Sequence, residues 1–275
     1  MEGQITKILS NLYFTTSNGI VYECNARGKF RHQKITPVVG DYVIFSESEK
    51  YITEILPRKN FLIRPLVSNI DQGIIVTSLK APDFSTNLLD KLLLIAEHNN
   101  IKPIICITKA DLLSDTEKEQ FRSIIEYYKS IGYLVLDNTE LADIKKLFKD
   151  KITVFMGQTG SGKSTLLNKL DSNLNLETDE ISKALGRGKH TTRFVQLLNM
   201  FEGKVLDTPG FSSIDLSSIS DEDISWGFIE FKNYECKFRD CKHINEQSCA
   251  VKEAVESGNI LDSRYDNYKK FISGR

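Results

Sequence analysis

The chain has 275 residues, of which 40% are hydrophobic and 27% charged, and its formal net charge is −1. This length exceeds the ~100–200 residues of one domain and predicts two or three folded units. The hydrophobic and charged fractions are typical of a soluble protein with buried cores, and the near-zero net charge gives no sign of a polyelectrolyte partner.

The start of the chain and its hydropathy argue against export and membrane insertion. The sequence MEGQITKILS lacks the basic-then-apolar pattern of a signal peptide, and no apolar run approaches the ~18 residues that a membrane span needs. We therefore expect a cytoplasmic protein. In that compartment its five cysteines are not expected to form disulfides.

Residues 1–65 have the pattern of short β-strands separated by turns. The predicted strands are GQITKILS, NLYFTT, GIVYECNA, VVGDYVIFS and YITEILP, and no helical period is visible between them. Because five strands in about sixty residues suit a small barrel, we predict an OB-fold over this range.

The longest turn region of this barrel is ARGKFRHQK (26–34), which places basic side chains around Phe30. Barrels of this kind often bind nucleic acid by combining basic groups with an aromatic platform. Residues 1–65 also hold nine Lys and Arg against six Asp and Glu. The pattern favours RNA contact at this turn, and the alternative is a solvated hairpin tip.

Residues 66–220 alternate between strand and helix patterns. The predicted strands are GIIVTSL (73–79), KPIICITK (102–109), YLVLD (133–137) and KITVFM (151–156), with helices between them. Ser114 and Glu117 form a capping-box pattern at the start of the second of these helices. This βαβα order predicts a mostly parallel, doubly wound sheet.

The motif ITKADL (107–112) ends the second of these strands and is similar to the N-K-x-D motif that recognises guanine in GTPases. A carboxylate there accepts hydrogen bonds from guanine N1–H and the N2 amine, whereas adenine offers no amine. We predict that Asp111 recognises the base and that Lys109 lies along it, with Thr108 and Ala110 completing the motif. Thr108 stands where Asn is usual, and its hydroxyl can keep one of the two contacts that an Asn amide would make. An ordinary strand-to-loop turn is the alternative.

The stretch GQTGSGKST (157–165) satisfies the phosphate-loop pattern G-x-x-x-x-G-K-[ST], with an apolar strand before it and a helix after it. Glycines let backbone N–H groups curl around phosphates, and the helix N-terminus adds partial positive charge. Lys163 is expected to reach the β- and γ-phosphates, and the Ser164 hydroxyl to bind Mg²⁺. The predicted nucleotide-binding residues are Gly157, Gln158, Thr159, Gly160, Ser161, Gly162, Lys163, Ser164 and Thr165.

Two further segments are typical of a nucleotide switch. In KVLDTPGF, a strand delivers Asp207 to the Mg²⁺ shell, and the Gly210 N–H is placed to meet the γ-phosphate. The glycine-rich, basic segment GRGKHTTRF (186–194) suits a mobile loop whose Thr192, in preference to Thr191, closes over Mg²⁺. A plain Asp-x-Pro-Gly turn is the alternative for the first segment.

In the usual GTPase order the base motif follows the phosphate loop, whereas here it precedes it. A sheet can be opened at a different connection if its old termini lie close enough to be joined. The sequence therefore predicts a circularly permuted GTPase domain over 66–220. The segment after Gly210 then leads directly into the C-terminal residues 221–275.

Residues 221–275 are predicted to be helical around a metal site. The stretch CKFRDCKHINEQSC supplies Cys236, Cys241, His243 and Cys249 within 14 positions. Three thiolates and one imidazole fit a closed tetrahedral Zn²⁺ site of structural role. Free reduced cysteines are the alternative. Cys24 and Cys106 lie in strand patterns and are expected to be buried small residues.

With a barrel, a permuted GTPase and a Cys-Cys-His-Cys segment in this order, the whole chain resembles the ribosome small subunit-dependent GTPase A family. The resemblance rests on TKAD, GQTGSGKST, GRGKHTT, DTPG and the cysteine spacing. It implies GTP hydrolysis to GDP, late maturation of the 30S ribosomal subunit, contact with 16S rRNA and stimulation by the subunit. It also implies Mg²⁺ and one Zn²⁺ as cofactors, other small-subunit assembly factors as partners, no membrane, and a monomer.

The chain departs from the family pattern at two places, and from the pattern of many GTPases at a third. Arg193 replaces the third Thr of an H-T-T-T switch, and DNT (137–139) only weakly matches the base-closing loop, to which we assign no residue. Phe211 occupies the position where many GTPases carry a water-orienting Gln. His190 is the nearest substitute as a catalytic group, and the alternative is that it contacts only rRNA or solvent.

Two other functions compete with a ribosome-assembly GTPase. The first is a nucleotide-gated RNA-binding factor, in which the GTP-bound state acts and hydrolysis is incidental. The second is a P-loop enzyme such as a small-molecule kinase, which would need an acceptor pocket that nothing in the sequence supplies.

Overall fold

The structure, a computed structural model, describes residues 1–28, 30, 35–63, 65–174, 195–207 and 216–274. The chain forms two compact units. The first unit comprises Met1–Gly73, Thr139–Phe155 and Lys163–Phe211, and the second unit comprises Ile74–Asn138, Met156–Gly162 and Ser212–Arg275. The predicted division at residues 65 and 220 remains a prediction, because compactness alone does not define where a domain begins.

The predicted five-stranded barrel begins the first unit. Its strands are β1 (Glu2–Leu9), β2 (Leu12–Ser17), β3 (Ile20–Ala26), β4 (Tyr42–Ser46) and β5 (Tyr51–Ile55). They follow the order β1-β2-β3-β5-β4, and β4 pairs back with β1 to close the barrel. Strands β3 and β5 run parallel, and the other neighbouring pairs are antiparallel. This five-stranded closure confirms the OB-fold.

Inward-facing side chains of alternating strand positions fill the barrel. Ile5, Val43 and Ile52 are fully buried, and Cys24 is buried as predicted. Phe30 is 5% exposed and belongs to this core, so the prediction that it offers an aromatic platform for RNA is wrong. A ring in the core cannot stack on a base; the basic residues 31–34 lie outside the described part of the chain.

A short hairpin that the sequence did not reveal follows the barrel. It consists of β6 (Phe61–Ile63) and β7 (Leu66–Ser68). The buried carboxylate of Asp41 fixes it, because Ser68 Oγ donates to Asp41 Oδ1 at 2.6 Å and Arg58 Nε donates to the same oxygen at 2.7 Å. This charged, hydrogen-bonded cluster holds the hairpin against the barrel.

The rest of the first unit extends the barrel into an open sheet. β11 (Ile152–Met156) pairs in parallel with β13 (Gly203–Asp207), which pairs antiparallel with β12 (Gln196–Met200). β12 in turn pairs with barrel strand β1, where Lys7 lies opposite Gln196. The described residues of this unit also form two α-helices, α3 (Leu141–Lys146) and α4 (Lys163–Leu170).

The second unit contains the other strands of the predicted sheet. Its strand order is β10 (Leu134–Asp137), β9 (Lys102–Thr108), β8 (Gln72–Ser78), and β9 and β10 run parallel. Helix α1 (Thr86–His98) connects β8 to β9, and α2 (Asp115–Ser130) connects β9 to β10. The predicted capping box is confirmed: Ser114 Oγ accepts from the Glu117 amide, and the Glu117 carboxylate accepts from the Ser114 amide.

The C-terminal residues of the second unit form short helices around an aromatic core. They are α5 (Asp221–Gly227), a 3-10 helix (Ile229–Asn233), α6 (Ala250–Glu256) and α7 (Asp262–Ser273). Phe228, Phe231 and Tyr268 contact one another with ring centroids 5.0–5.3 Å apart. Within the described residues, none of the helices combines the length and apolarity that crossing a bilayer requires.

Candidate nucleotide site and metal centre

The base motif lies at the carboxyl end of β9, in the second unit. Thr108 is the last residue of the strand and is 1% exposed. Lys109 has a left-handed backbone (φ 59°), and a 3-10 helix over Ala110–Leu112 follows it. The turn leaves Asp111 exposed just beyond the strand, at the sheet edge where doubly wound proteins bind ligands. A carboxylate there is free to face a base.

The phosphate loop has the glycine geometry that a phosphate cradle requires. Gly157 has φ +133°, and a Cβ at that position would lie 2.3 Å from the backbone oxygen of Val76. Only glycine fits such a close approach of two backbones. Gly160 and Gly162 also have positive φ values, of +78° and +99°. The predicted loop is therefore compatible with backbone amides curling around phosphates.

Two side chains connect the base motif to the phosphate loop within the second unit. The Thr108 hydroxyl donates to the backbone oxygen of Ser161 at 2.7 Å. The Lys109 ammonium donates to the backbone oxygen of Gly160 at 2.9 Å and also to that of Ala81. Motifs about fifty positions apart in the chain are thus neighbours, which is the adjacency that the permuted order needs.

The Thr108 contact shows what the replacement of the usual Asn preserves. A hydroxyl carries one proton, and two backbone oxygens lie within its reach: Ser161 O at 2.7 Å and Thr77 O at 3.3 Å. The shorter contact is the better hydrogen bond. Thr108 therefore keeps the link to the phosphate loop and forgoes the second contact that an amide would add.

Lys163, Ser164 and Thr165 begin helix α4 in the first unit. Ser164 is buried and Thr165 is exposed, while Leu166, Leu167 and Leu170 pack the helix into its unit. Burial lowers the pKa of Lys163 to about 8. A desolvated ammonium binds an anion more strongly than a hydrated one does, which suits the role predicted for this lysine.

This pKa predicts a pH dependence of nucleotide binding. Phosphates at the position predicted for them beside Lys163 would favour its charged form, so the complex would keep the proton at a pH where the free protein loses it. Affinity for GDP should be constant below pH 8 and fall by up to about tenfold per pH unit above it. Isothermal titration between pH 7 and 9 measures this. The Lys163→Arg variant stays charged and should bind with a flat profile; a wild-type profile equally flat would contradict the prediction.

The predicted switch residues are only partly placed. Asp207 is the last residue of β13 and lies opposite Gln196 of β12. His190, Thr192 and Gly210 lie outside the described residues. Their catalytic and Mg²⁺-binding roles therefore stay predictions.

The four predicted metal ligands come together in the second unit. The ligand atoms of Cys236, Cys241, His243 and Cys249 all lie within 4.8 Å of one another. Cys236 Sγ lies 3.8 Å from Cys249 Sγ, and His243 Nδ1 lies 3.3 Å from Cys249 Sγ. Tetrahedral Zn²⁺ with bonds of about 2.3 Å requires sulfur separations of about 3.8 Å. The cluster therefore fits one zinc ion.

The surroundings of the cluster suit metal binding. Burial lowers the pKa of His243, which favours the neutral imidazole that ligates metals. Burial raises the pKa of Cys241 to about 12, so metal binding would have to displace its proton. The Tyr265 hydroxyl donates to the backbone oxygen of His243 at 2.7 Å, and the Tyr268 hydroxyl to that of Lys242 at 2.6 Å. Helix α7 thus supports the metal loop through its tyrosines.

Sequence reasoning missed a buried charged network in the second unit. Arg264 of α7 donates through Nε and a second guanidinium nitrogen to the two carboxylate oxygens of Glu230, at 2.7 and 2.8 Å. It also donates to Asp90 of α1 at 2.8 Å. Tyr128 and Asn267 donate to Asp90 at 2.6 and 2.7 Å. The three charged side chains are at most 2% exposed. An acidic residue on the leucine-rich buried face of α1 was the one sequence signal for this network.

Comparisons with known proteins agree with this geometry. The model of the RsgA GTPase family matches residues 55–217, and that of the RsgA N-terminal domain matches residues 2–52. The chain is 50% identical to the small ribosomal subunit biogenesis GTPase RsgA of Streptococcus pneumoniae and 46% identical to that of Enterococcus faecalis. Each of these matches covers 99% of this chain and 94% of the relative.

Two solved structures are similar over nearly the whole chain. YloQ, a circularly permuted GTPase, has 41% identity and a TM-score of 0.83, over 99% of this chain and 94% of its own. YjeQ from Thermotoga maritima has 36% identity and a TM-score of 0.85, over 100% of this chain and 99% of its own. The permuted chain order predicted from the motifs is therefore that of a known fold.

Proposed function

The chain belongs to the RsgA GTPase family, and on that premise we propose that it hydrolyses GTP to GDP during late maturation of the small ribosomal subunit. Hydrolysis is stimulated when the protein binds the 30S subunit and its 16S rRNA in the cytoplasm. The protein acts there as a monomer beside other assembly factors. Its OB-fold barrel, permuted GTPase and metal-binding segment occupy residues 1–65, 66–220 and 221–275.

The observation that carries the proposal is the pair of contacts from Thr108 and Lys109 to the phosphate loop. They support a site in which Asp111 discriminates the base next to the loop that binds the phosphates. A guanine base pairs its N1–H and N2 amine with the carboxylate, whereas adenine leaves the carboxylate unpaired. This arrangement favours a guanine-nucleotide enzyme over an ATP-dependent kinase.

The remaining site residues have the following proposed roles. Ser164, Asp207 and Thr192 hold Mg²⁺, which neutralises charge on the phosphates when bound. Lys163 contacts the β- and γ-phosphates, and the Gly210 amide senses the γ-phosphate. His190 orients the attacking water in place of the missing Gln, since Phe211 has no polar atom. When the 30S subunit orders the switch segment 186–194, the positioning of the reacting groups alone contributes several kcal/mol to catalysis.

One Zn²⁺ held by Cys236, Cys241, His243 and Cys249 has a structural role. The donor set is closed, because four protein ligands leave no position for water. The ligand-atom separations support it. The ion ties the loop 236–249 to α6 and α7, whose packing then depends on the metal.

Single-turnover GTP hydrolysis, with and without purified 30S subunits, tests this function. The isolated protein should hydrolyse GTP well below the typical enzyme range of ~1–10³ s⁻¹, and subunits should accelerate it. Hydrolysis that subunits leave unchanged would instead favour the nucleotide-gated RNA-binding factor.

The Asp111→Asn variant tests base recognition by a predicted change of specificity from guanine to xanthine. Xanthine carries a carbonyl where guanine carries its N2 amine, and an asparagine amide can donate to that carbonyl. The variant should lose at least ~1–3 kcal/mol of GTP binding and recover stimulated hydrolysis with xanthosine triphosphate. If the variant still prefers GTP, Asp111 does not recognise the base.

A further inference from the structure

A cationic cavity lies in the second unit, apart from the base motif and the cysteine cluster. Its volume is about 350 Å³, within the ~300–1,000 Å³ range of ligand pockets. It is bounded by one side of α1, one side of α7 and two residues that precede α5, Leu216 and Ser217. The residues that matter here are Asn87, Lys91, Leu216, Ser217, Lys270 and Phe271.

Among the described residues that line this cavity, two are lysines and none is acidic. In the described part of the chain, neither Lys91 nor Lys270 takes part in an ion pair, and no acidic residue lines the cavity. The Lys91 ammonium lies 5.8 Å from the ring centroid of Phe271. Asp90 precedes Lys91, but its carboxylate is committed to Arg264, Tyr128 and Asn267. The described lining of the cavity therefore carries net positive charge.

The adjacent lysine of α7, Lys269, is by contrast neutralised by a carboxylate. Lys269 lies 2.9 Å from Asp266 and its ammonium lies over the ring of Tyr265. It is thus paired within its own helix, although it is next to Lys270. The contrast makes Lys269 a matched control for the effect of charge alone.

The floor of the cavity is held by the buried network. Asn87 Nδ2 donates to Asn267 Oδ1 at 3.1 Å, and Asn267 in turn donates to Asp90. Asn87 lies in the first turn of α1, which contains no acidic residue. The N-terminal end of α1 contributes partial positive charge and the last turn of α7 partial negative charge, so the cationic character rests on the two ammonium groups. A fixed floor beneath two cations favours a compact anion over an extended apolar ligand.

We propose that this cavity binds a phosphate group of an RNA backbone. The partner class rests on the proposed function in ribosome maturation, whereas the anion chemistry rests on the cavity alone. Phe271 is 3% exposed, so its ring cannot stack on a base, and recognition is independent of base sequence. Two lysines meet one or two phosphates of the strand as point charges.

The test measures binding of a fluorescein-labelled decauridylate by anisotropy, over a series of KCl concentrations. Removing both lysines in Lys91→Ala/Lys270→Ala should weaken binding by about tenfold or more and reduce the salt slope by about one for each lysine. The Lys269→Ala control should keep most of the affinity, and Lys91→Arg/Lys270→Arg should keep the slope. Wild-type hydrogen-exchange protection of α1 and α7 in each variant verifies that the fold around the cavity is intact.

Several outcomes would overturn the proposal. They are a wild-type protein that does not bind the oligonucleotide, a double alanine variant with wild-type affinity, and a Lys269→Ala loss as large as that of the double variant. Inorganic phosphate that binds through Lys91 and Lys270 while RNA binding is indifferent to them would reject RNA as the source. Subunit-stimulated hydrolysis is measured separately, so its failure counts against the proposed function and leaves the oligonucleotide result to decide this site.

Discussion

Replacing Arg264 with methionine should lower the free energy of unfolding by about 3–5 kcal/mol at pH 7. The change removes the guanidinium that both Asp90 and Glu230 contact, and both carboxylates are at most 2% exposed. Methionine is close in volume, so the loss is one of charge compensation rather than packing. Chemical denaturation followed by circular dichroism and by hydrogen exchange in α1 and α7 measures the effect.

The same variant should respond to pH in a defined direction. Burial raises the pKa of Asp90 even with Arg264 present, and losing the cation raises it further. The folded variant then binds protons that the unfolded chain has released at neutral pH, so its stability falls as pH rises. The deficit relative to wild type should be smaller at pH 5 than at pH 7.

Arg122→Met provides the matched control, because Arg122 is 70% exposed and pairs only weakly with Glu119, at 3.5 Å. That change should stay within about 0.5 kcal/mol of wild type. An Arg264 variant as stable as wild type at pH 7 would mean that the network contributes no net charge compensation.

Loss of the proposed zinc ion has the second large expected effect. Structural Zn²⁺ sites contribute about 10–16 kcal/mol of apparent binding energy to the folding of small zinc domains. Cys241→Ser removes one of four ligands whose atoms cluster within 4.8 Å. Elemental analysis should find one zinc per wild-type chain and little in the variant. Hydrogen exchange should accelerate in α6 and α7, while GDP binding persists.

Cys24→Ser is the control for the zinc prediction, because Cys24 is 1% exposed in the barrel core and far along the chain from the cluster. It should keep the metal. Wild-type protein without zinc would contradict the prediction. A Cys241 variant that no longer binds GDP would show that the metal site is not a separate structural element.

The local geometry of the phosphate loop, the TKAD motif and the cysteine cluster could be predicted from the sequence, because each motif is short and its residues lie close together. The phosphate loop, the TKAD motif and the cysteine spacing each constrain their own geometry. The OB-fold also followed from strand patterns. The Phe30 prediction failed because an aromatic residue in a turn can equally fold back into the core, and composition does not distinguish the two.

The long-range network could not be predicted, because nothing in a single sequence pairs Asp90 with Arg264 across 174 positions. The one indication of the network in the sequence of α1 is an aspartate among leucines. The β6–β7 hairpin was missed for another reason: three-residue strands are too short to show a period. In both cases tertiary contacts, rather than local propensity, determine the structure.

The contacts between TKAD and the phosphate loop determine whether a substitution in one motif requires a matching substitution in the other. Both end on main-chain oxygens, those of Ser161 and Gly160, rather than on side chains. The backbone carbonyl does not depend on the side chain at that position, so a substitution that the buried site at 161 accommodates need not be matched by one at 108. In a saturation library the two motifs should vary without covariation. The side chains that hold the two motifs together belong to the base motif alone: they are the hydroxyl of Thr108 and the ammonium of Lys109.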